Sequence, residues 1–183
     1  MTIHLMIDIE SLSTRPGAVI LSAALVRFSD EAHTSVNFSI PEQRALGLEH
    51  DESTMDWWRQ QPGMAWEAAT TNPIPIVPAL LHISTWIAWA AAGDDFLIWC
   101  HGATFDCPLL DELYRRAGVP CPWKFWQVRD TRTLYDLAAI DVKAYAVPPP
   151  HVALNDAIGQ VRAANAALAV LARAHGNVGR VAQ

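Results

Sequence analysis

Residues 3–11, IHLMIDIES, decide the fold. Residues 3–9 are expected to form a buried strand that carries Asp8 and Glu10 at its far end. Side chains alternate along a strand, so acids at i and i+2 project from the same face. Two carboxylates beside a core are costly to keep unless a cation neutralises them. Oxygen ligands without a cysteine or histidine cage suit Mg²⁺ or Mn²⁺ better than zinc. The stretch therefore points to a divalent-cation site at the end of an apolar, buried strand.

Three further residues, far along the chain, share that chemistry. Asp106 lies in CHGATFDCPLL (100–110), and His151 and Asp156 lie in HVALNDA (151–157). Taken singly, Asp106 and Asp156 fit acids that meet the dipole of a helix start, and His151 fits an ordinary loop histidine. The joint pattern is what points to a site.

The bulk composition fits one domain. The chain has 183 residues, 51% of them hydrophobic and 17% charged, which is ample material for a core and unlike a disordered chain. A single domain is expected over 1–176, with a C-terminal tail at 177–183. The longest apolar region, 79–92, is interrupted by His82, Ser84 and Thr85 and falls short of the ~20 residues that span a bilayer. The N-terminus shows no basic segment followed by a cleavage site. Cys100, Cys107 and Cys121 form no CxxC pair, so reduced thiols and a cytoplasmic location are expected. A net charge of −6 argues against a basic nucleic-acid-binding surface. Four of those charges, however, belong to Asp8, Glu10, Asp106 and Asp156, and two divalent cations would cancel them.

Along the chain, strands are expected over 18–28 and 33–40, giving an antiparallel meander with the first. Ser53 and Asp56 suggest a capping box for a short helix that Pro62 and Gly63 end. A helix follows over 79–92, then a buried strand in DDFLIWC (94–100) and a helix over 105–117 that stops at Gly118. Asp130 is placed to cap the next helix. The last helix is expected over 154–174, ending near Gly176. The order β-β-β-α-α-β-α-(β)-α-α fits a mixed sheet with helices packed on it.

These motifs resemble those of the DEDDh 3′→5′ exonucleases, the group of ribonuclease T, oligoribonuclease and the proofreading exonucleases. DIES (8–11) resembles the first motif, GATFDCPLL (102–110) the second, and HVALNDA the third, with a histidine five positions before the last acid. PWKFWQVRDTRTL (122–134) and DWWRQQ (56–61) look more like the exodeoxyribonuclease VIII-like branch and the small bacterial and phage exoribonucleases. Ser11 stands where the first motif often has Thr, and Cys100-His101-Gly102 replaces an Asn-containing version of the second.

The resemblance implies a ribonuclease H-like α/β fold, with the first three strands antiparallel and the rest parallel. It implies hydrolysis of single-stranded RNA or DNA, or of 3′ overhangs, to nucleoside 5′-monophosphates. Two Mg²⁺ ions, for which Mn²⁺ could substitute, would lie roughly 3.5–4 Å apart. Asp8 would bridge them, Glu10 and Asp156 would complete the first, and Asp106 would help hold the second. His151 would act as general base, a role that histidine's titration near neutrality suits. Ser11, Leu12, Trp57, Trp58 and Phe105 are the expected substrate contacts, the aromatic residues by stacking on bases. Arg129 and Arg132 fit ion pairs with Asp130 better than phosphate contacts. The eight tryptophans fit a homodimer. The rival readings are an endonuclease on the same fold and a catalytically silent nucleic-acid-binding module.

Overall fold

The structure, a computed structural model, describes residues 2–181, with side chains as far as Ala174. Its centre is the strand opened by the quoted stretch, β1 (Ile3–Ser11). It pairs antiparallel with β2 (Ile20–Arg27), which pairs antiparallel with β3 (His33–Asn37). On its other side β1 runs parallel to β4 (Phe96–Cys100), and β4 runs parallel to β5 (Val128–Asp130). The order β3-β2-β1-β4-β5 is the mixed sheet expected from the sequence.

The period of two along β1 sends its side chains into two separate layers. Leu5, Ile7 and Ile9 pack with Leu80, Ile83 and Ile87 of α4 (Ile76–Ala91) and with Leu109, Leu110 and Leu113 of α5 (Asp106–Ala117). Met6 faces the other way, onto α6 (Thr131–Ala138) and α7 (Ala153–Val181). Asp8 and Glu10 share the parity of Met6. Each fully buried Leu or Ile in these layers contributes about 1.5–3 kcal/mol by leaving water. Along the α7 face Ala157, Ala163, Ala164 and Ala167 are wholly buried, and such small side chains let the helix lie close on the sheet.

Three short helices cross from β3 towards α4: α1 (Ile40–Ala45), α2 (Glu52–Trp58) and α3 (Gly63–Thr70). The strand expected over 33–40 stops at Asn37, and Ile40 opens α1 with a proline in its first turn. A proline there loses no hydrogen bond and brings a pre-set φ. Ser53 does not cap α2; Asp51 holds that position, and its carboxylate accepts instead from Ser13 Oγ at 2.7 Å. Pro62, expected only to end a helix, also precedes α3. Pro78 sits inside the first turn of α4, where it needs no donor, so that helix starts at Ile76 rather than 79.

Other sequence signals hold. Gly118 ends α5 in the left-handed conformation, and Asp130 caps α6 by accepting from Thr133 N. The helix α7 runs past Gly176 to Val181, because one glycine costs only about 1 kcal/mol against alanine in a helix and does not itself stop it. Residues 182–183 of the expected tail lie outside the described residues. Among the described residues, no helix is long and apolar enough to cross a membrane.

One glycine lets the turn on the cleft wall lie close against α7. A Cβ on Gly159 of α7 would lie 2.9 Å from the carbonyl oxygen of Tyr145, in the 3-10 turn Val142–Tyr145. Gly159→Ala is expected to push that turn away and to destabilise the protein by about 1–3 kcal/mol, as overpacking does. Gly63→Ala, where nothing lies within 4 Å, is expected to be neutral or stabilising. Urea unfolding of the two variants would check the contrast, and equal midpoints would contradict the assigned contact.

Candidate active site

Five residues from four places in the chain line one cleft of about 340 Å³: Asp8, Glu10, Asp106, His151 and Asp156. Asp8 and Glu10 reach it from the α7 face of β1. Immediately after Glu10 the pairing with β2 slips, so that Glu10 faces Ser22 and Ser11 faces Ile20. Gln43 of α1 repairs the ladder there: it accepts from Ile20 N at 2.8 Å and donates to Ile20 O at 2.7 Å. A buried amide thus satisfies the backbone that the slip leaves open.

Asp106 arrives by way of the turn after β4. Gly102 takes a φ of 122°, a conformation that strongly favours glycine. Asp130 fixes the same turn by accepting from Ala103 N at 2.7 Å. Asp106 then opens α5, and its Oδ1 accepts from Ile9 N at 3.3 Å, which ties the helix start to the central strand.

Asp156 lies in the first turn of α7. Its Oδ2 accepts from the backbone N of His151 at 3.0 Å. Asn155 Nδ2 donates to Pro149 O at 3.0 Å. Two side chains of one helix start therefore hold the loop that carries His151, whose own φ of 59° is left-handed. The His151 ring meets Trp57 edge-on, with centroids 4.7 Å apart. Donor atoms of Glu10, His151 and Asp156 lie within 4.8 Å of one another.

The electrostatics are those of crowded, buried acids. Asp8 is 9% exposed, Glu10 8% and Asp106 3%. Burial, then Asp106, Glu10 and Asp156, push the Asp8 carboxyl well above the ordinary carboxylate range, against the hydrogen bond from Gln160. Burial, followed by Asp156 and Asp106, raises Glu10 to about 8. Burial raises Asp106 to about 7, although the Ile9 amide and Arg132 oppose it. Asp156 is raised by burial and held back by its bond from His151 N. Such a cluster disfavours its own ionised form, and a divalent cation removes the penalty, so the donor set fits Mg²⁺ or Mn²⁺.

The expected substrate contacts divide. Phe105 lines the cleft, and Trp57 is 39% exposed beside His151. Leu12, at 1% exposure, is part of the hydrophobic core beneath the site. Trp58 is buried too, donating from Nε1 to Ser11 O at 2.9 Å and packing on Trp66. The Ser11 hydroxyl donates to Ser13 O at 2.8 Å. All three are buried, and none of them lines the cleft.

Several cleft residues were not expected there. Arg132 was expected to pair with Asp130, but that carboxylate accepts from Ala103 N and Thr133 N. The Arg132 guanidinium lies over Gly102, its carbon 3.4 Å from where a Cβ would stand, and faces the cleft with Lys143. Arg129 turns away and donates to Trp126 O and Val128 O. His101 also lines the cleft, bonded to Thr131 Oγ1 at 3.1 Å, and burial and Arg132 lower its pKa. Gln160 completes the wall, one helical turn after Asp156, and donates from Nε2 to Asp8 Oδ1 at 2.7 Å. Its spacing of four from Asp156 was the available signal, since residues i and i+4 share a helix face.

Comparison with known proteins gives the family and the fold. The family described as "3'-5' exoribonuclease Rv2179c-like domain" matches residues 3–168. An exodeoxyribonuclease of Enterobacteria phage T4 is 24% identical, over 69% of this chain and 68% of its own. The nuclease domain of 3'hExo, a DEDDh family member solved bound to rAMP, superposes with a TM-score of 0.57 at 12% identity, covering 88% of this chain and 89% of that one. The sheet order, the convergence of the acids and a family match over nearly the whole described chain agree: the protein belongs to the 3'-5' exoribonuclease Rv2179c-like domain family and is a 3′–5′ exonuclease on the DEDDh fold.

Proposed function

We propose that the protein removes nucleotides from the 3′ end of single-stranded RNA or DNA, or of 3′ overhangs, and releases nucleoside 5′-monophosphates. The observation that carries this reading is the meeting of Asp8, Glu10, Asp106, His151 and Asp156 in one cleft. Asp8, Glu10, Asp106 and Asp156 would hold two divalent cations, which when bound supply charge stabilisation to the reacting phosphate. His151, with a ring nitrogen next to the carboxylates of Glu10 and Asp156, takes the proton of the attacking water. The water oxygen bonds to phosphorus, the bond from phosphorus to the 3′-oxygen breaks, and that oxygen gains a proton from solvent. Arg132 and Lys143, on the cleft wall, face the phosphate. Phe105 and the half-open Trp57 offer ring faces to the terminal bases.

A time course with matched 5′-labelled RNA and DNA oligonucleotides, with Mg²⁺, Mn²⁺ or EDTA, tests the reading. A metal-dependent ladder that shortens from the 3′ end is expected, and its faster arm assigns the preferred sugar. Full-length substrate in every lane, with folded protein, would leave a silent binding module. Asp8→Asn and Asp156→Asn are expected to abolish turnover. His151→Ala is expected to lower the rate by about 10²–10⁴-fold, the usual share of general acid–base catalysis, while metal still binds. A wild-type rate in His151→Ala would remove that residue from the chemistry.

The raised carboxyls also predict a pH dependence for metal-free protein. Glu10 at about 8 and Asp106 at about 7 bind protons in the folded state that the unfolded chain releases near pH 4. The folded state thus holds more protons through this window, and stability falls as pH rises. It is fully present below about pH 4 for these groups, by the ordinary carboxyl range, and is lost as pH passes through the folded values. Thermal unfolding with EDTA should drop between pH 5 and pH 8, and Mn²⁺ should restore most at the high end. A flat profile in EDTA would contradict the crowding of the acids.

A further inference from the structure

Gln160 is 7% exposed and lines the cleft without being one of its acids. Its Nε2 donates to Asp8 Oδ1 at 2.7 Å. Its Oε1 is buried and has no hydrogen-bond partner, the one such buried side-chain atom among the described residues. When Asp8 is ionised to hold a cation its carboxylate only accepts, so the amide then turns its N–H to Asp8 and its carbonyl away. A residue kept for packing alone would be apolar here, because an unmet buried acceptor is a standing cost. The turn that carries it is also fixed from two sides: Tyr135 Oη donates to Gln160 O at 2.8 Å, and Gly159 lies against Tyr145.

We propose that Gln160 is a positioning residue for divalent-cation binding. Its N–H fixes the rotamer of Asp8 by holding one carboxylate oxygen, leaving the other for a cation, and its free Oε1 accepts from a water that enters with the cation. This rests on the proposed metal-dependent function. Hydrogen-bond partners behind a metal-binding carboxylate typically change metal affinity about 10–100-fold when removed.

The test uses the full chain stripped of metal, with Mn²⁺ binding followed by calorimetry for wild type, Gln160→Met and Gln160→Ala. The methionine keeps the volume and removes both hydrogen-bonding ends. The expected result is a Mn²⁺ dissociation constant raised about 10–100-fold. The metal-free unfolding temperature of Gln160→Met should stay close to wild type, that of Gln160→Ala should fall because it leaves a cavity at a buried position, and nuclease activity of Gln160→Met should recover at high Mn²⁺. Wild-type Mn²⁺ affinity in a folded variant would overturn the assignment, as would a lowered metal-free unfolding temperature with unchanged affinity. If neither variant folds, Gln160 is a core fixture and the proposal fails. If wild type itself binds no Mn²⁺, the metal-dependent reading falls first, a result distinct from any difference between the variants.

Discussion

Four carboxylates brought into one cleft, three of them almost out of reach of solvent, are the constraint on which the rest of the architecture turns. Like charges repel strongly where water is excluded, and each acid also loses its hydration. The fold answers with fixed donors. Ile9 N bonds Asp106, His151 N bonds Asp156, and the Gln160 amide bonds Asp8. Asp106 and Asp156 also sit in first turns of helices, where the partial positive charge of the backbone favours an anion. These aids are too small. Asp106 stays raised, to about 7, by burial even with the Ile9 amide and Arg132 opposing it. The protein alone leaves the cluster under-compensated, and that deficit favours a cation.

Tolerating the cluster requires a stiff frame, and β1 supplies it. Its odd positions are fixed by α4 and α5 and its even positions by α7, so Asp8 cannot move without disturbing a core on either side. The slip after Glu10 ends the regular ladder where the acids must stand, and Gln43 keeps the backbone satisfied. Ser11, Leu12 and Trp58 are buried and do not line the cleft. The acids occupy the boundary between a rigid sheet and the loop that carries His151, which Asp156 and Asn155 hold down.

Much of this was legible in the sequence because it depends on local pattern. The period of two in residues 3–11 gave the acids a common face, Gly118 and Asp130 marked helix ends, and a histidine five before Asp156 marked the loop. What escaped depends on partners distant in sequence. No local signal says that Leu12 lies under a core while Trp57 remains half open, since both follow from how α2 packs on the chain after β1. Arg132 next to Asp130 suggests an ion pair, yet the Ala103 amide, from a turn 27 residues earlier, and the Thr133 amide occupy that carboxylate. The short helices α1 and α3 were missed because each holds less than three turns, and their prolines read more readily as breaks than as starts. Gly159 and Gln160 look ordinary in a helical run. Their importance comes from Tyr145 on one side and Asp8 on the other.

The charge balance also bears on the order in which the cleft fills under the proposed function. The chain carries a net charge of −6, and among the described residues the cleft sets its acids against Arg132 and Lys143 as the full cations on its wall. A phosphodiester that approaches this cleft at neutral pH meets charge of its own sign unless the acids hold protons or cations. Protons can serve, given a Glu10 at about 8, but a protonated carboxyl is a poor ligand and gives the phosphate no counter-charge. Two divalent cations cancel four carboxylates, after which Arg132 and Lys143 dominate the local field. Cation loading before nucleic acid therefore follows from Coulomb's law at this site. Under the proposed function, the same step would turn a repulsive cleft into an attractive one in a chain whose net charge is −6.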